Sequence, residues 1–220
     1  MKYKLAIFDF DGTLADSFPF FIQVFNQLAQ KHGFREIDAD AVPGLRQKSA
    51  RQIMQVVELP KWKLPFVAKD FASLMKNNAA SISLFEHIES TLLHLANNGV
   101  ALAVVSSNAY DNIREILGAD MMKIITHFEC GMSIFGKSPR IRKVLKEAGV
   151  SCHEAIYIGD QISDLDAARK EKVAFGAVSW GYGAIESLRG HSPEEEFENV
   201  LSMRRIVPHS HTDSSTAAMA

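Results

Sequence analysis

Asp9 and Asp11 stand on either side of Phe10 and run straight into Gly12 and Thr13, at the end of the apolar stretch 3–8. Two carboxylates directly after a buried strand are costly to desolvate unless they are paired or hold a cation. The plain alternative is a strand-to-helix turn, because Asp and Gly form turns and Asp or Thr can cap a helix. At ordinary residue frequencies, however, Asp-x-Asp-Gly-Thr arises by chance in roughly one chain of this length in several hundred, which favours chemistry. Ser106, Ser107 and Asn108 follow a second apolar run, 100–105, and Gly159, Asp160 and Asp164 follow a third, 155–158. Lys137 lies in a glycine-containing loop ahead of a helical segment. Singly, these residues have bland readings. A serine ending a strand is usually a turn or helix cap, a lysine is usually solvated, and an acid on a first helical turn suits the helix dipole. Together, carboxylates, hydroxyls and a lysine after successive strands are the inventory for holding a divalent cation and a phosphate on one rim.

The elements that must position them alternate. Residues 3–8, 100–105, 155–158 and 173–178 read as buried strands, with a short strand near 124–130. Helices are expected at 18–32, where Pro19 suits the first turn and Gly33 the stop, and at 86–97, 109–117, 139–148 and 162–171. A weaker helix is expected after Pro193. The stretch 17–84 reads as helical throughout. Ser49 would cap a helix carrying Ile53, Met54 and Val57, and Pro65 would open one with Phe66, Phe71, Leu74 and Met75 on one side. This pattern predicts an α/β fold, a doubly wound parallel sheet covered on both faces, with an all-helical insert. In such sheets ligands bind beyond the carboxyl ends of the strands, where the residues above fall. The expected division is 1–16 with 85–208 as the α/β core, 17–84 as the helical insert and 209–220 as a small, polar tail.

Composition narrows the partners. The 220 residues carry 24 Lys and Arg against 26 Asp and Glu, a net charge of −2, which argues against nucleic acid, whose binding relies on basic side chains. With 47% hydrophobic and 23% charged residues the chain has ordinary globular composition. No apolar run approaches the ~20 residues that cross a bilayer, and the N-terminus does not read as a signal peptide. The expectation is a cytoplasmic protein with no membrane partner. Cys130 and Cys152 lie in no metal-ligand spacing and read as reduced thiols packed in the core. His209 and His211 read as tail, and Trp62, between Lys61 and Lys63, as packing within the insert.

Asp9-Phe10-Asp11-Gly12-Thr13-Leu14-Ala15-Asp16, then Ser106, Lys137, and Gly159-Asp160 with Asp164, resemble the four ordered motifs of the haloacid-dehalogenase-like superfamily. The likeness spans most of residues 1–180, with the helical insert matching the small helical cap of its phosphoglycolate-phosphatase-like branch. One departure is Lys137-Ser138-Pro139, where that branch often has Lys-Pro. The resemblance implies a phosphatase that acts on a small phosphomonoester, phosphoglycolate-like or a sugar phosphate. Asp9 would be the nucleophile that forms an aspartyl-phosphate, and Asp11 the acid and base. Lys137 would be the charge-balancing catalytic lysine. Gly12, Ser106, Ser107 and Lys137 would surround the phosphate. Mg²⁺ would be held by Asp9, the backbone carbonyl of Asp11, Asp160 and Asp164, the last directly or through water. Residues 15–18 and about 81–86 would be hinges of the cap. Arg46, Lys48 and Arg51 could read a second anionic group on the substrate or form an ordinary solvated patch. A phosphomutase of the β-phosphoglucomutase type uses the same aspartyl-phosphate, and a non-catalytic regulatory protein could use the same fold. A dehalogenase would need neither Mg²⁺ nor the second acid.

Overall fold

The structure, a computed structural model, describes residues 3–45, 50–133 and 136–207. In chain order its elements are β1 (Leu5–Phe8), β2 (Ala15–Asp16), α1 (Phe18–His32), α2 (Val42–Leu45), α3 (Ala50–Val56), α4 (Leu64–Asn78) and β3 (Ser83–Leu84). Then come α5 (Ile88–Asn97), β4 (Ala101–Val105), α6 (Tyr110–Ile124), β5 (His127–Glu129), α7 (Ser138–Ala148) and β6 (Ala155–Gly159). The last are α8 (Ile162–Lys170), β7 (Ala174–Val178), α9 (Ile185–Arg189) and β8 (Glu195–Phe197).

Six strands form one parallel sheet in the order β5-β4-β1-β6-β7-β8. β1 is central, with Leu5 in register with Ala101 of β4 on one side and Ala155 of β6 on the other. Its four residues are apolar and buried because both faces of the sheet are covered. Alternation along β1 then splits the core. Ala6 and Phe8 face one cluster with Leu92 and Leu95 of α5 and Ile113 of α6. Leu5 and Ile7 face the other, with Ile141 and Val144 of α7 and Leu165 of α8. The doubly wound architecture expected from the alternation of elements is the one present. Among the described residues, no helix is long and apolar enough to cross a membrane.

The helical stretch builds a third apolar cluster from Val24, Phe25 and Leu28 of α1 with Leu45, Val57, Leu59 and Val67. Pro19 lies in the first turn of α1, and Gly33 ends it with φ +64°, in the left-handed region. Ser49, expected to cap α3, lies outside the described residues, as do residues 209–220 of the expected tail. Pro65 lies in the first turn of α4, and Phe71, Leu74 and Met75 pack inward as expected, joined by Val67, but Phe66 is 60% exposed. Trp62 is also exposed, at 69%, with the Lys63 ammonium 5.4 Å from its ring centre, so it does not pack within the insert as expected. The stretch is not wholly helical either. β3 at its end pairs antiparallel with β2, Ala15 opposite Leu84 and Asp16 opposite Ser83.

Two other expectations change. Among the described residues no α-helix follows Pro193: the helical turns beyond it are a 3-10 helix, Val200–Ile206, and a strand comes first. That strand is β8, which pairs with β7 so that Phe197 lies beside Val178 and is fully buried. Pairing at the sheet edge outweighs the helix-like run of glutamates before it. The helix expected at 109–117 continues to Ile124 through a break at Gly118, φ +70° and ψ 169°. Cys130 and Cys152 are partly buried against the two sheet-face clusters, as expected.

Candidate active site

The central strands deliver the carboxylates. Asp9 is the first residue after β1, and its N–H donates to the Ile158 carbonyl of β6 at 2.9 Å, so the ends of these two strands are fastened together. Asp160 directly follows β6. Asp164 lies in the first turn of α8, its Oδ2 accepting from the Gln161 N–H at 3.3 Å. Asp9, Asp160 and Asp164 are all buried, with relative exposures of 4%, 0% and 0%. One carboxylate oxygen from each lies within 4.8 Å of those from the other two.

Lys137, immediately before α7, reaches into this group. Its Nζ is 2.7 Å from Asp9 Oδ1 and 2.6 Å from Asp164 Oδ1, and it lies 5.8 Å from the Tyr157 ring centre. The inserted Ser138 costs the lysine nothing, because Ser138 forms the first residue of α7 and its hydroxyl donates to Glu171. Burial alone would lower the Lys137 pKa, but Asp164 and Asp9 outweigh it and hold the ammonium well above the usual lysine range. One lysine does not neutralise three acids. Burial, with Asp9 and Asp164 nearby, drives Asp160 well above the carboxylate range. Burial likewise raises Asp164 to about 6, against the pull of Lys137.

Asp11 points to a different set of partners. Ser17 Oγ donates to its Oδ1 at 2.6 Å, and Asn108 Nδ2 donates to Oδ2 at 3.0 Å and to Oδ1 at 3.3 Å. Burial raises its pKa to about 6, with Asp9 adding to the rise and the Ser17 and Asn108 hydrogen bonds opposing it. A carboxyl in that range holds and gives up a proton near neutral pH.

The loop after β4 brings the hydroxyls. Ser106 is buried, and its Oγ accepts from the Asn108 N–H at 3.1 Å. It is therefore a turn cap, as the bland reading had it, yet its own O–H is left to donate elsewhere. Ser107 is exposed on the same loop. Arg140 of α7 donates to the carbonyls of Ser106 at 2.9 Å and Gly131 at 2.5 Å, tying this loop to the one that carries Lys137. Gly12 has φ +82°, and a Cβ there would fall 2.7 Å from Asp160 Oδ2 and 2.9 Å from the Tyr182 ring. Only glycine fits this turn.

The structure thus brings together Asp9, Asp11, Gly12, Ser106, Lys137, Asp160 and Asp164. It does not address Arg46 and Lys48, which lie outside the described residues, nor the Arg51 side chain. Sequence reasoning passed over the loop Ser179-Trp180-Gly181-Tyr182-Gly183 after β7. The Tyr182 N–H donates to Asp160 Oδ2 at 2.7 Å, its hydroxyl meets Ser17 Oγ, and Trp180 Nε1 donates to the Thr13 carbonyl at 3.1 Å. The available signal was two glycines flanking an aromatic residue just beyond a buried strand, on the rim where ligands bind.

Asp160 Oδ1 is buried without a hydrogen-bond partner among the described residues. An ionised oxygen in that condition is costly. A hard divalent cation, which takes oxygen ligands, would satisfy it alongside Asp9 and Asp164, so the residues present fit such an ion.

This sheet with acids at its carboxyl rim defines the class, and the chain belongs to the haloacid dehalogenase-like hydrolase family, whose model matches residues 6–178. It is 28% identical over 205 residues to a phosphoglycolate phosphatase of Synechococcus elongatus, spanning 93% of this chain and 97% of that protein. It is 25% identical over 190 residues to a phosphoglycolate phosphatase of Aquifex aeolicus, spanning 84% of this chain and 88% of that one. Its fold is similar to that of a haloacid dehalogenase-like family hydrolase from Streptococcus pneumoniae. The TM-score is 0.81 at 20% identity, over 92% of this chain and 97% of that one.

Proposed function

We propose that the protein is a Mg²⁺-dependent phosphatase that hydrolyses a small phosphomonoester through an aspartyl-phosphate on Asp9. The observation that carries this reading is the buried group of Asp9, Asp160 and Asp164 with the Lys137 ammonium shared between Asp9 and Asp164.

In the first step an Asp9 carboxylate oxygen attacks phosphorus, forming a new P–O bond as the ester P–O bond breaks. Asp11, protonated at the start, gives its proton to the departing oxygen. In the second step Asp11 takes a proton from a water molecule whose oxygen attacks the same phosphorus. Inorganic phosphate leaves and Asp9 is restored. The Lys137 ammonium offsets charge on Asp9 and on the group in transfer, and the Ser106 hydroxyl and neighbouring amides hold the phosphoryl oxygens. Asp9, Asp160 and Asp164, with the Asp11 carbonyl, would hold the cation, which supplies positive charge against the repulsion between Asp9 and the phosphate.

The proposed division is an α/β core of 1–16 with 85–208 and a helical cap of 17–84, which excludes water and reads the rest of the substrate. Relatives named phosphoglycolate phosphatases favour a substrate with a second anionic group. Arg46, Lys48 and Arg51 are the proposed contacts for it. Cytoplasmic location and no nucleic-acid or membrane partner complete the reading.

The test is phosphate release from a panel of phosphoglycolate, sugar phosphates, nucleotides and an aryl phosphate, run with Mg²⁺, with chelator and with Asp9→Asn. Release that requires Mg²⁺ and vanishes in the variant is expected. Isomerised sugar phosphate without free phosphate would replace hydrolase by mutase, and no reaction by the folded protein would leave the non-catalytic reading.

A further inference from the structure

We infer that Tyr182 is a positioning residue that directs the Asp11 carboxyl through the hydroxyl of Ser17. The inference rests on the proposed phosphatase reading and adds a residue that its motifs do not contain.

The argument is a count of protons. Ser17 Oγ donates to Asp11 Oδ1 at 2.6 Å, and a serine hydroxyl has one hydrogen to give. The contact between the Tyr182 hydroxyl and Ser17 Oγ must then run from tyrosine to serine. The result is a directed chain, Tyr182 O–H to Ser17 O–H to Asp11 Oδ1, in which each bond strengthens the next. Asn108 Nδ2 is shared by the same carboxyl, 3.0 Å from Oδ2 and 3.3 Å from Oδ1, so Oδ1 receives two donors and Oδ2 one. With the chain ending on Oδ1, the acid proton of Asp11 is left to Oδ2, and one oxygen is fixed as the proton donor.

Tyr182 is held in a way that suits this task. Its own N–H is bonded to Asp160 Oδ2 at 2.7 Å, and the next N–H, of Gly183, reaches the same oxygen at 3.3 Å. A Cβ at Gly181 would fall 2.1 Å from the Asp160 Cβ, and one at Gly183 would fall 2.1 Å from the Asp160 carbonyl oxygen. The loop therefore lies directly against Asp160. The Tyr182 ring packs on Phe18, the first residue of α1, with centroids 4.9 Å apart at 51°. The hydroxyl thus sits at a fixed distance from the strand ends and aims at Ser17, which is itself buried.

The experiment compares kcat/KM for phenyl phosphate and para-nitrophenyl phosphate. This constant reports the first phosphoryl transfer, and the two esters differ little in size but greatly in the basicity of the departing oxygen. Phenolate needs the proton that Asp11 delivers, whereas nitrophenolate departs without it. Tyr182→Phe removes the hydroxyl and keeps the ring and both backbone contacts. We expect it to lower the phenyl-to-nitrophenyl ratio of kcat/KM roughly fivefold, the size of one net hydrogen bond. Ser17→Ala should lower the ratio at least as much. In the Ser17→Ala background, adding Tyr182→Phe should change the ratio by less than about twofold, because its effect has lost its carrier. Equal losses on both esters in Tyr182→Phe, or full additivity of the two substitutions, would overturn the inference and leave Tyr182 as a packing residue. A folded wild-type protein that releases phosphate from neither ester nor any other member of the panel above with Mg²⁺ present would remove the phosphatase reading, and this inference with it.

Discussion

The rim of the sheet and the helical stretch above it are built by opposite rules. At the rim, charged groups are buried and every one is answered by a partner or by a cation site: Asp9 and Asp164 by Lys137, and Asp160 by the Tyr182 amide on one oxygen. Glycine is required where the loops touch. In the helical stretch the shared cluster is apolar, made by Val24, Phe25, Leu28 and Val67, while Trp62 and Phe66 face outward. The first region tolerates almost no change because an unpaired buried charge is expensive. The second requires only apolar residues of suitable volume. Chemistry is therefore written in residue identity at the rim, and in the helices only in periodicity.

The sharpest way to break this contrast is at Asp9. Asp9→Asn should lower turnover by at least about a thousandfold while circular dichroism shows an unchanged fold. Substantial activity in that variant would sink the covalent mechanism. Next in size is Lys137→Ala, which strands Asp9 and Asp164. In the metal-free protein it should cost about 3 kcal/mol of stability in urea unfolding, with part of the loss restored by Mg²⁺. No loss would mean that the acids do not depend on the lysine.

A second loss of stability comes from pH. Burial keeps Asp11 and Asp164 protonated to about 6 in the folded chain, whereas in the unfolded chain such groups release their protons near pH 4. Between those values the folded state holds more protons. Metal-free stability should therefore be fully present below about pH 4 and be lost as pH rises through about 6, at about 1.4 kcal/mol for each pH unit between a group's folded and unfolded values. Thermal melts across that range check it, and stability that rises with pH would contradict the raised values. The smallest effect is expected at Phe66→Ala in the helical stretch, within about 0.5 kcal/mol of wild type. A loss of several times that would show that a partner covers this face.

The acids proposed as catalytic were legible because Asp-x-Asp-Gly-Thr and Gly-Asp follow continuous apolar runs, a combination that a simple turn rarely needs. The sheet was legible for the same reason: 3–8, 100–105 and 155–158 are continuous apolar runs. Tyr182 was not, because its role exists only through a contact with Ser17, which is far away in the chain. In sequence, Gly181-Tyr182-Gly183 is simply a loop. Asn108 was visible as a strand-end polar residue but not as a donor to Asp11, since that contact also depends on the folded rim. β8 was misread because Glu194, Glu195 and Glu196 look like a helix start, and only the neighbouring β7 reveals them as a strand edge. Phe66 was misread because a helical repeat finds an apolar face without saying how much of it is covered, and Trp62 because its lysine neighbours do not say which way the ring turns.

The antiparallel ribbon of β2 and β3 has a further consequence. Ala15 opposite Leu84 and Asp16 opposite Ser83 bring the way out of the sheet domain and the way back side by side, at a spacing that a two-residue turn can close. Everything between is topologically an insertion and leaves the strand order undisturbed. Its foot includes Met75 and Ile82, with Phe20 and Phe71, packed into the cluster that includes Ile113 and Leu117 of α6, and Phe18 against Tyr182. A different helical segment would need only two adjoining attachment points and a similar apolar foot to be grafted there. What lies between Phe18 and Ile82 can therefore differ while Asp9 keeps its place beside Asp160, provided that Ser17 stays against Asp11 and Phe18 against Tyr182.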